Sequence, residues 1–207
     1  MIYLEYSFNN NIVSSKQTLE NMFFNMAKKY YNKNNLTIIK NVNGKPYFKN
    51  YDKLHFNGTH SKDLFVCVMS DNFNVGIDAE KIKKRNYLSI AKEYFFESEY
   101  RYLTNSLKLD IDFFTIWTIK EAYIKMLGKT IFDIKNSIKI DLIERDIKNA
   151  DNLFFSSFMI DYSYIISFCA DINKVSNIKE NKEIDLNLQD FNLNLIFSYP
   201  YLPNIKL

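Results

Sequence analysis

The stretch Leu64-Phe-Val-Cys-Val-Met-Ser-Asp-Asn-Phe-Asn-Val-Gly-Ile-Asp-Ala-Glu80 decides how the chain is organised. Two apolar runs, Leu64 to Met69 and Phe73 to Asp78, flank the polar turn Ser70-Asp71-Asn72 and read as strands. The second run ends in two carboxylates, Asp78 and Glu80, two residues apart. Side chains at i and i+2 leave a strand on one face, so these acids converge. Close carboxylates repel unless a proton or cation stands between them, and hard oxygen donors suit magnesium. A solvated strand end feeding the basic run Lys81 to Arg85 is the simpler account of the same residues.

Outward from this point, Ile2 to Phe8 reads as a first strand, followed by an Asn/Ser loop through Ser15. A helix fits Gln17 to Tyr31, with Leu19, Met22, Phe23, Met26, Ala27 and Tyr30 at helical spacing. Leu36 to Asn41 reads as a short strand before a turn at Asn43, Gly44 and Pro46. Downstream, one helical stretch covers Tyr87 to Leu107 and another covers Phe113 to Leu127, with Gly128 as its C-cap. Ile138 to Ile140, Leu153 to Ile160 and Tyr164 to Ala170 are rich in β-branched and aromatic residues and read as antiparallel strands. The order implies an α+β fold of two similar halves, residues 1–72 and 73–207, meeting near residues 71 to 75. The pattern beyond Asn173 gives no assignment.

Composition narrows the function classes. The 207 residues are 47% apolar and 16% aromatic, with only 4 Gly and 3 Pro, which is a packed globular protein rather than a disordered one. A net charge of +3 does not call for nucleic acid, and the scattered lysines show no aromatic-basic stacking motif, so an RNA-binding domain is poorly supported. Cys67 and Cys169 both sit in apolar runs, which predicts buried free thiols and a reducing cytoplasm. The first ten residues lack the pattern of a signal peptide, and no window approaches about 18 uncharged apolar residues, so no membrane span is expected.

Two further segments carry chemistry. In Trp117-Thr-Ile-Lys-Glu-Ala-Tyr-Ile-Lys-Met-Leu-Gly128 the apolar positions cover most of the helix circumference, which predicts a buried helix. Thr118, Glu121 and Lys125 share one stripe of it by i+3 and i+4 spacing, placing a carboxylate and an ammonium in a mostly apolar setting. In Asn57-Gly-Thr-His-Ser61, small polar residues and an imidazole in a turn before a strand could hold a phosphate through Thr59, His60 and backbone N–H groups. An ordinary Glu-Lys helix pair and a surface turn are the plainer readings of these two segments.

Taken in order, Gly44-Lys-Pro-Tyr-Phe48, Phe56-Asn-Gly-Thr-His-Ser61, Val75-Gly-Ile-Asp-Ala-Glu80, Ala91-Lys-Glu-Tyr-Phe-Phe96 with Glu99, and Phe114 to Gly128 resemble the Sfp-type 4'-phosphopantetheinyl transferases. The resemblance implies two pseudo-twofold α+β halves with coenzyme A between them, and transfer of its 4'-phosphopantetheine group to a serine of an apo acyl or peptidyl carrier protein. It implies magnesium held by Asp78, Glu80 and Glu121, with Glu121 as candidate general base and Lys125 on the pyrophosphate. It also implies Lys45, Thr59, His60 and Lys120 as coenzyme A contacts, and carrier docking after Glu80 and beyond Gly128. A monomer is expected, because one chain holds both halves of the site. The alternative is a coenzyme A or carrier-binding protein that has lost turnover, against which the set Asp78, Glu80, Glu121 and Lys125 speaks.

Overall fold

The computed structural model describes residues 1–9, 14–135, 137–172, 186–187 and 193–199. The loop read at Asn9 to Ser15 and the tail beyond Asn173 lie largely outside them. The first strand, β1 (Ile2–Phe8), leads to helix α1 (Ser15–Tyr31), the short pair β2 (Ile38–Lys40) and β3 (Pro46–Phe48), and the hairpin β4 (His55–Ser61) and β5 (Leu64–Ser70). Then come β6 (Val75–Lys81), helices α2 (Tyr87–Tyr94), α3 (Glu97–Thr104) and α4 (Leu109–Leu127), and the short pair β7 (Lys139–Asp141) and β8 (Asp146–Lys148). The hairpin β9 (Leu153–Ile160) and β10 (Tyr164–Asp171) precedes β11 (Leu186–Asn187) and β12 (Leu193–Tyr199). The fold is α+β.

Two four-stranded sheets organise the chain, in the orders β11-β1-β5-β4 and β12-β9-β10-β6. The Ser70 to Asn72 turn is therefore no hairpin loop, because the chain leaves one sheet at β5 and enters the other at β6. The sheets share a core. Ile2, Leu4, Leu64, Val66 and Val68 from the first meet Val75, Ile77, Ala79, Phe154, Phe158 and Phe168 from the second. On the far side of the first sheet, Phe23, Met26 and Ala27 of α1 cover Phe56, Cys67 and Met69. On the far side of the second, α4 brings Phe113, Ile119, Ala122 and Met126 against Phe155, Ile165 and Cys169. This explains why β5 reads as an unbroken apolar run: Leu64, Val66 and Val68 face one core, Cys67 and Met69 the other. Both cysteines are buried and free.

Local signals set the helix limits. Ser14 caps α1 by accepting from the N–H of Gln17 at 3.3 Å, and Asn32 ends it in the left-handed region. Gly128, at φ 68°, ends α4 as expected. The stretch read as one helix from Tyr87 to Leu107 is broken. Phe95 and Phe96 are extended, and a Glu99 carboxylate oxygen accepts the N–H of Phe96 at 2.8 Å to start α3 afresh. The break turns Phe95 inward, where it packs on Phe113 and Trp117.

One close approach positions α4. An added Cβ on Gly76 would stand 2.1 Å from the carbonyl oxygen of Ala122, so only glycine lets the helix lie this near β6. Gly76, Asp78 and Glu80 alternate with the core residues Val75, Ile77 and Ala79. The same face that admits the helix thus carries the two acids.

Candidate active site

The side chains of Asp78, Thr59 and Lys125 meet where β6, β4 and α4 converge. The Lys125 ammonium donates to Asp78 Oδ1 at 2.6 Å and to Thr59 Oγ1 at 3.1 Å, and the Thr59 hydroxyl lies 3.3 Å from Asp78 Oδ1. Asp78 is 5% exposed, and its second oxygen, Oδ2, is buried with no hydrogen-bond partner among the described residues. Such an orphaned carboxylate oxygen is costly. Beneath the cluster a hydroxyl chain runs across the second sheet. Ser167, in register with Asp78, shares 2.7 Å hydrogen bonds with Thr118 of α4 and with Ser157.

The electrostatics centre on Glu121. Burial and the nearby Asp78 push its carboxyl up to about 7; Glu80 adds to the rise, and Lys125 opposes it. For Lys125, burial pulls downward, but the charge and hydrogen bond of Asp78, with Glu121 and Glu80 behind it, leave the ammonium above its ordinary value. Lys125 thus stands against Asp78 with Glu121 nearby, while Glu80 is also paired with Arg85 at 3.5 Å. Among the described residues, no three His, Cys, Asp or Glu side chains are disposed as a ready metal cage. The donor chemistry nevertheless fits a hard divalent cation: all three groups offer oxygen, and Asp78 Oδ2 is buried with no hydrogen-bond partner among the described residues.

The remaining predicted contacts scatter. Thr59 and His60 lie on strand β4 rather than in a turn, so they point to opposite faces. Thr59 is 7% exposed beside Asp78, while His60 is exposed and stacks on Phe65. Lys45 donates to Asn74 Oδ1 at 2.6 Å and to the Met126 carbonyl at 2.5 Å, at the C-terminus of α4. It also lines a cavity of about 240 Å³ with Asn41, Tyr47, His55 and Phe56. Burial lowers its ammonium to about 8.

Lys120 requires a correction. It is fully buried and faces away from the cluster, with Glu99 Oε1 at 3.1 Å and the Ile138 carbonyl at 2.6 Å. Lys120 and Lys125 are five residues apart, roughly 140° around a helix, so they cannot share the face that meets Asp78. Glu99 also accepts from the N–H groups of Phe96 and Ile140. The pair ties α3, α4 and β7 together as a structural fastening.

Sequence reading missed two side chains. Asn57 and Ser61, on the same face of β4 as Thr59, also reach β6. The alternation of polar residues at 57, 59 and 61 was the available signal.

This is an α+β chain whose carboxylate cluster lies at the junction of two sheets. The family model described as the 4'-phosphopantetheinyl transferase superfamily matches residues 74–169. The chain is 35% identical to the 4'-phosphopantetheinyl transferase gsp of Aneurinibacillus migulanus over 156 residues, covering 72% of this chain and 64% of that relative. It is 41% identical to psf-1 of Bacillus pumilus over 91 residues, 43% of this chain and 38% of the relative. It is 29% identical to Sfp of Bacillus subtilis strain 168 over 138 residues, 61% and 59% respectively. The chain belongs to the 4'-phosphopantetheinyl transferase superfamily, and within it to the Sfp type. It spans less than two thirds of the length of these relatives.

Proposed function

We propose that the protein transfers the 4'-phosphopantetheine group of coenzyme A to a serine of an apo acyl or peptidyl carrier protein, releasing 3',5'-ADP. The observation that carries this reading is the cluster itself: in a chain of this superfamily, a lysine ammonium sits on Asp78 with Glu121 and Glu80 close behind.

Asp78, Glu80 and Glu121 would hold a divalent cation, magnesium by their oxygen donors. Bound there, it would supply neutralisation of charge on the phosphoryl oxygens. Glu121, on α4 one turn before Lys125, is the carboxylate offered to accept the proton of the attacking serine hydroxyl. Attack forms a bond from the serine oxygen to the β-phosphorus and breaks the bond from that phosphorus to the bridging pyrophosphate oxygen, whose electron pair leaves with 3',5'-ADP. Lys125 supports the departing phosphate, where an ammonium is worth most as negative charge develops. Lys45 and His60 are the groups offered to the nucleotide.

One chain contributes every member of the cluster, which supports action as a monomer. The two free thiols suit the cytoplasm. Among the described residues no helix is long and apolar enough to cross a membrane.

Incubation with coenzyme A, magnesium and an apo-carrier, read by mass spectrometry, tests the reading. The carrier should gain the phosphopantetheine mass, and excess chelator should prevent it. No gain on fatty-acid, polyketide or peptide-synthetase carriers would overturn the assignment.

A further inference from the structure

The two sheets meet at the edges β4 and β6, which belong to different sheets. Side chains join them instead of a backbone ladder. Asn57 Oδ1 accepts the N–H of Ile77 at 3.1 Å, Thr59 reaches Asp78, and Ser61 Oγ accepts the N–H of Lys81 at 3.0 Å. The rungs at 57, 59 and 61 climb in the same order as 77, 78 and 81, so β4 and β6 run side by side in one direction. Asn57 and Ser61 are 6% and 9% exposed, well shielded from water competition.

Ser61 does more than hold the edge. The same hydroxyl that accepts from Lys81 donates to Glu80 Oε2 at 3.3 Å. A hydroxyl has one donor, and the backbone N–H directs it by occupying a lone pair. On the other side, Arg85 stands 3.5 Å from Glu80 Oε1. Glu80 is therefore gripped from both ends: Arg85 supplies charge, Ser61 supplies direction.

We propose that Ser61 is a positioning residue for Glu80, holding this carboxylate toward the cation site, and that the β4–β6 row sets the geometry of the acid cluster from the opposite sheet. The proposal rests on the reading of Asp78, Glu80 and Glu121 as a cation site. Partners that orient metal-binding carboxylates typically affect metal affinity about 10- to 100-fold. With Arg85 still in place, Ser61 should fall at the lower end.

The test is Mn²⁺ binding to the full chain without coenzyme A or carrier, followed by the electron paramagnetic resonance of free Mn²⁺. Ser61→Ala should weaken binding about 10-fold and Ser61→Thr should restore it to within about 2-fold. In a Glu80→Gln background, Ser61→Ala should have no further effect, because Ser61 acts through that carboxylate. Should Ser61→Ala not fold, Ser61→Cys keeps the volume with a weaker donor and should show the same loss. Wild-type binding with no change in the Ser61 variant, or a Ser61 effect undiminished in the Glu80→Gln background, overturns the positioning role and leaves the cation site standing. No Mn²⁺ binding by wild type overturns both.

Discussion

Lys125 Nζ lies 2.6 Å from one oxygen of the Asp78 carboxylate, and the other oxygen of that carboxylate is buried with no hydrogen-bond partner among the described residues. The lysine is thus the internal counter-ion of the acid cluster as well as the candidate group on the leaving phosphate.

Lys125→Met should separate these two roles. Turnover should fall by about 10²- to 10³-fold, the range for removing one preorganised donor from a developing anion. Coenzyme A affinity should fall less than about 10-fold, since the interaction is strongest in the transition state. Without metal, the variant should lose about 1–3 kcal/mol of stability, because it leaves Asp78 buried and unpaired. Single-turnover kinetics, calorimetry with coenzyme A and urea unfolding in chelator measure the three effects. Normal turnover with weakened binding would make Lys125 a simple anchor.

Asp78→Asn and Glu121→Gln should each abolish transfer while keeping the fold. Both replacements preserve shape and remove the charge that would hold the proposed cation. Circular dichroism and the carrier assay together check this, and full activity in either variant would exclude the acid from the reaction.

The raised Glu121 carboxyl sets a pH signature for the metal-free protein. Its folded value of about 7 exceeds its ordinary 4.5, so between these values the folded state binds more protons than the unfolded one. This contribution to stability therefore grows as pH falls through about 7 and is complete below 4.5. Thermal midpoints in chelator should rise on acidification from pH 8 to pH 6 relative to Glu121→Gln, which lacks the titration. A midpoint difference independent of pH would show that Glu121 ionises normally.

The strands and their faces were legible where periodicity alone decides. Asp78 and Glu80 emerge on one face because a strand alternates, and Gly128 ends α4 because a left-handed residue was needed there. What could not be read is contact across sheets. Nothing in sequence spacing joins Thr59 or Lys125 to Asp78, or Ser61 to Glu80, and the break at Phe95-Phe96 depends on an aromatic core formed with Phe113 and Trp117. Lys120 was read as a coenzyme A contact through its match to the family's lysines after the tryptophan, and that match carries no sign of its buried pairing with Glu99.

Lys120 and Glu99 yield the contrasting experiment. Burial raises the carboxyl of Glu99 and lowers the ammonium of Lys120, each only partly offset by the other's charge. Lys120→Met should cost about 3–5 kcal/mol by leaving Glu99 uncompensated, and Glu99→Gln with Lys120→Met should cost less than Lys120→Met alone. Turnover per folded molecule should remain close to wild type in the double variant. Urea midpoints and active-site-normalised rates decide it; a selective loss of coenzyme A affinity would return Lys120 to the nucleotide site.

β1 takes its outer neighbour, in parallel, from β11, with Ile2 opposite Leu186. In chain order β1 precedes β11 by all the strands of both sheets but β12, so during synthesis the outer edge of β1 stays unpaired until residue 186 has been made. Exposed edges of this kind invite pairing with other chains. Synthesis of β11, rather than the appearance of α4, therefore marks the moment at which the first sheet closes. Nascent chains stalled before residue 186 should be the species that chaperones and proteases capture.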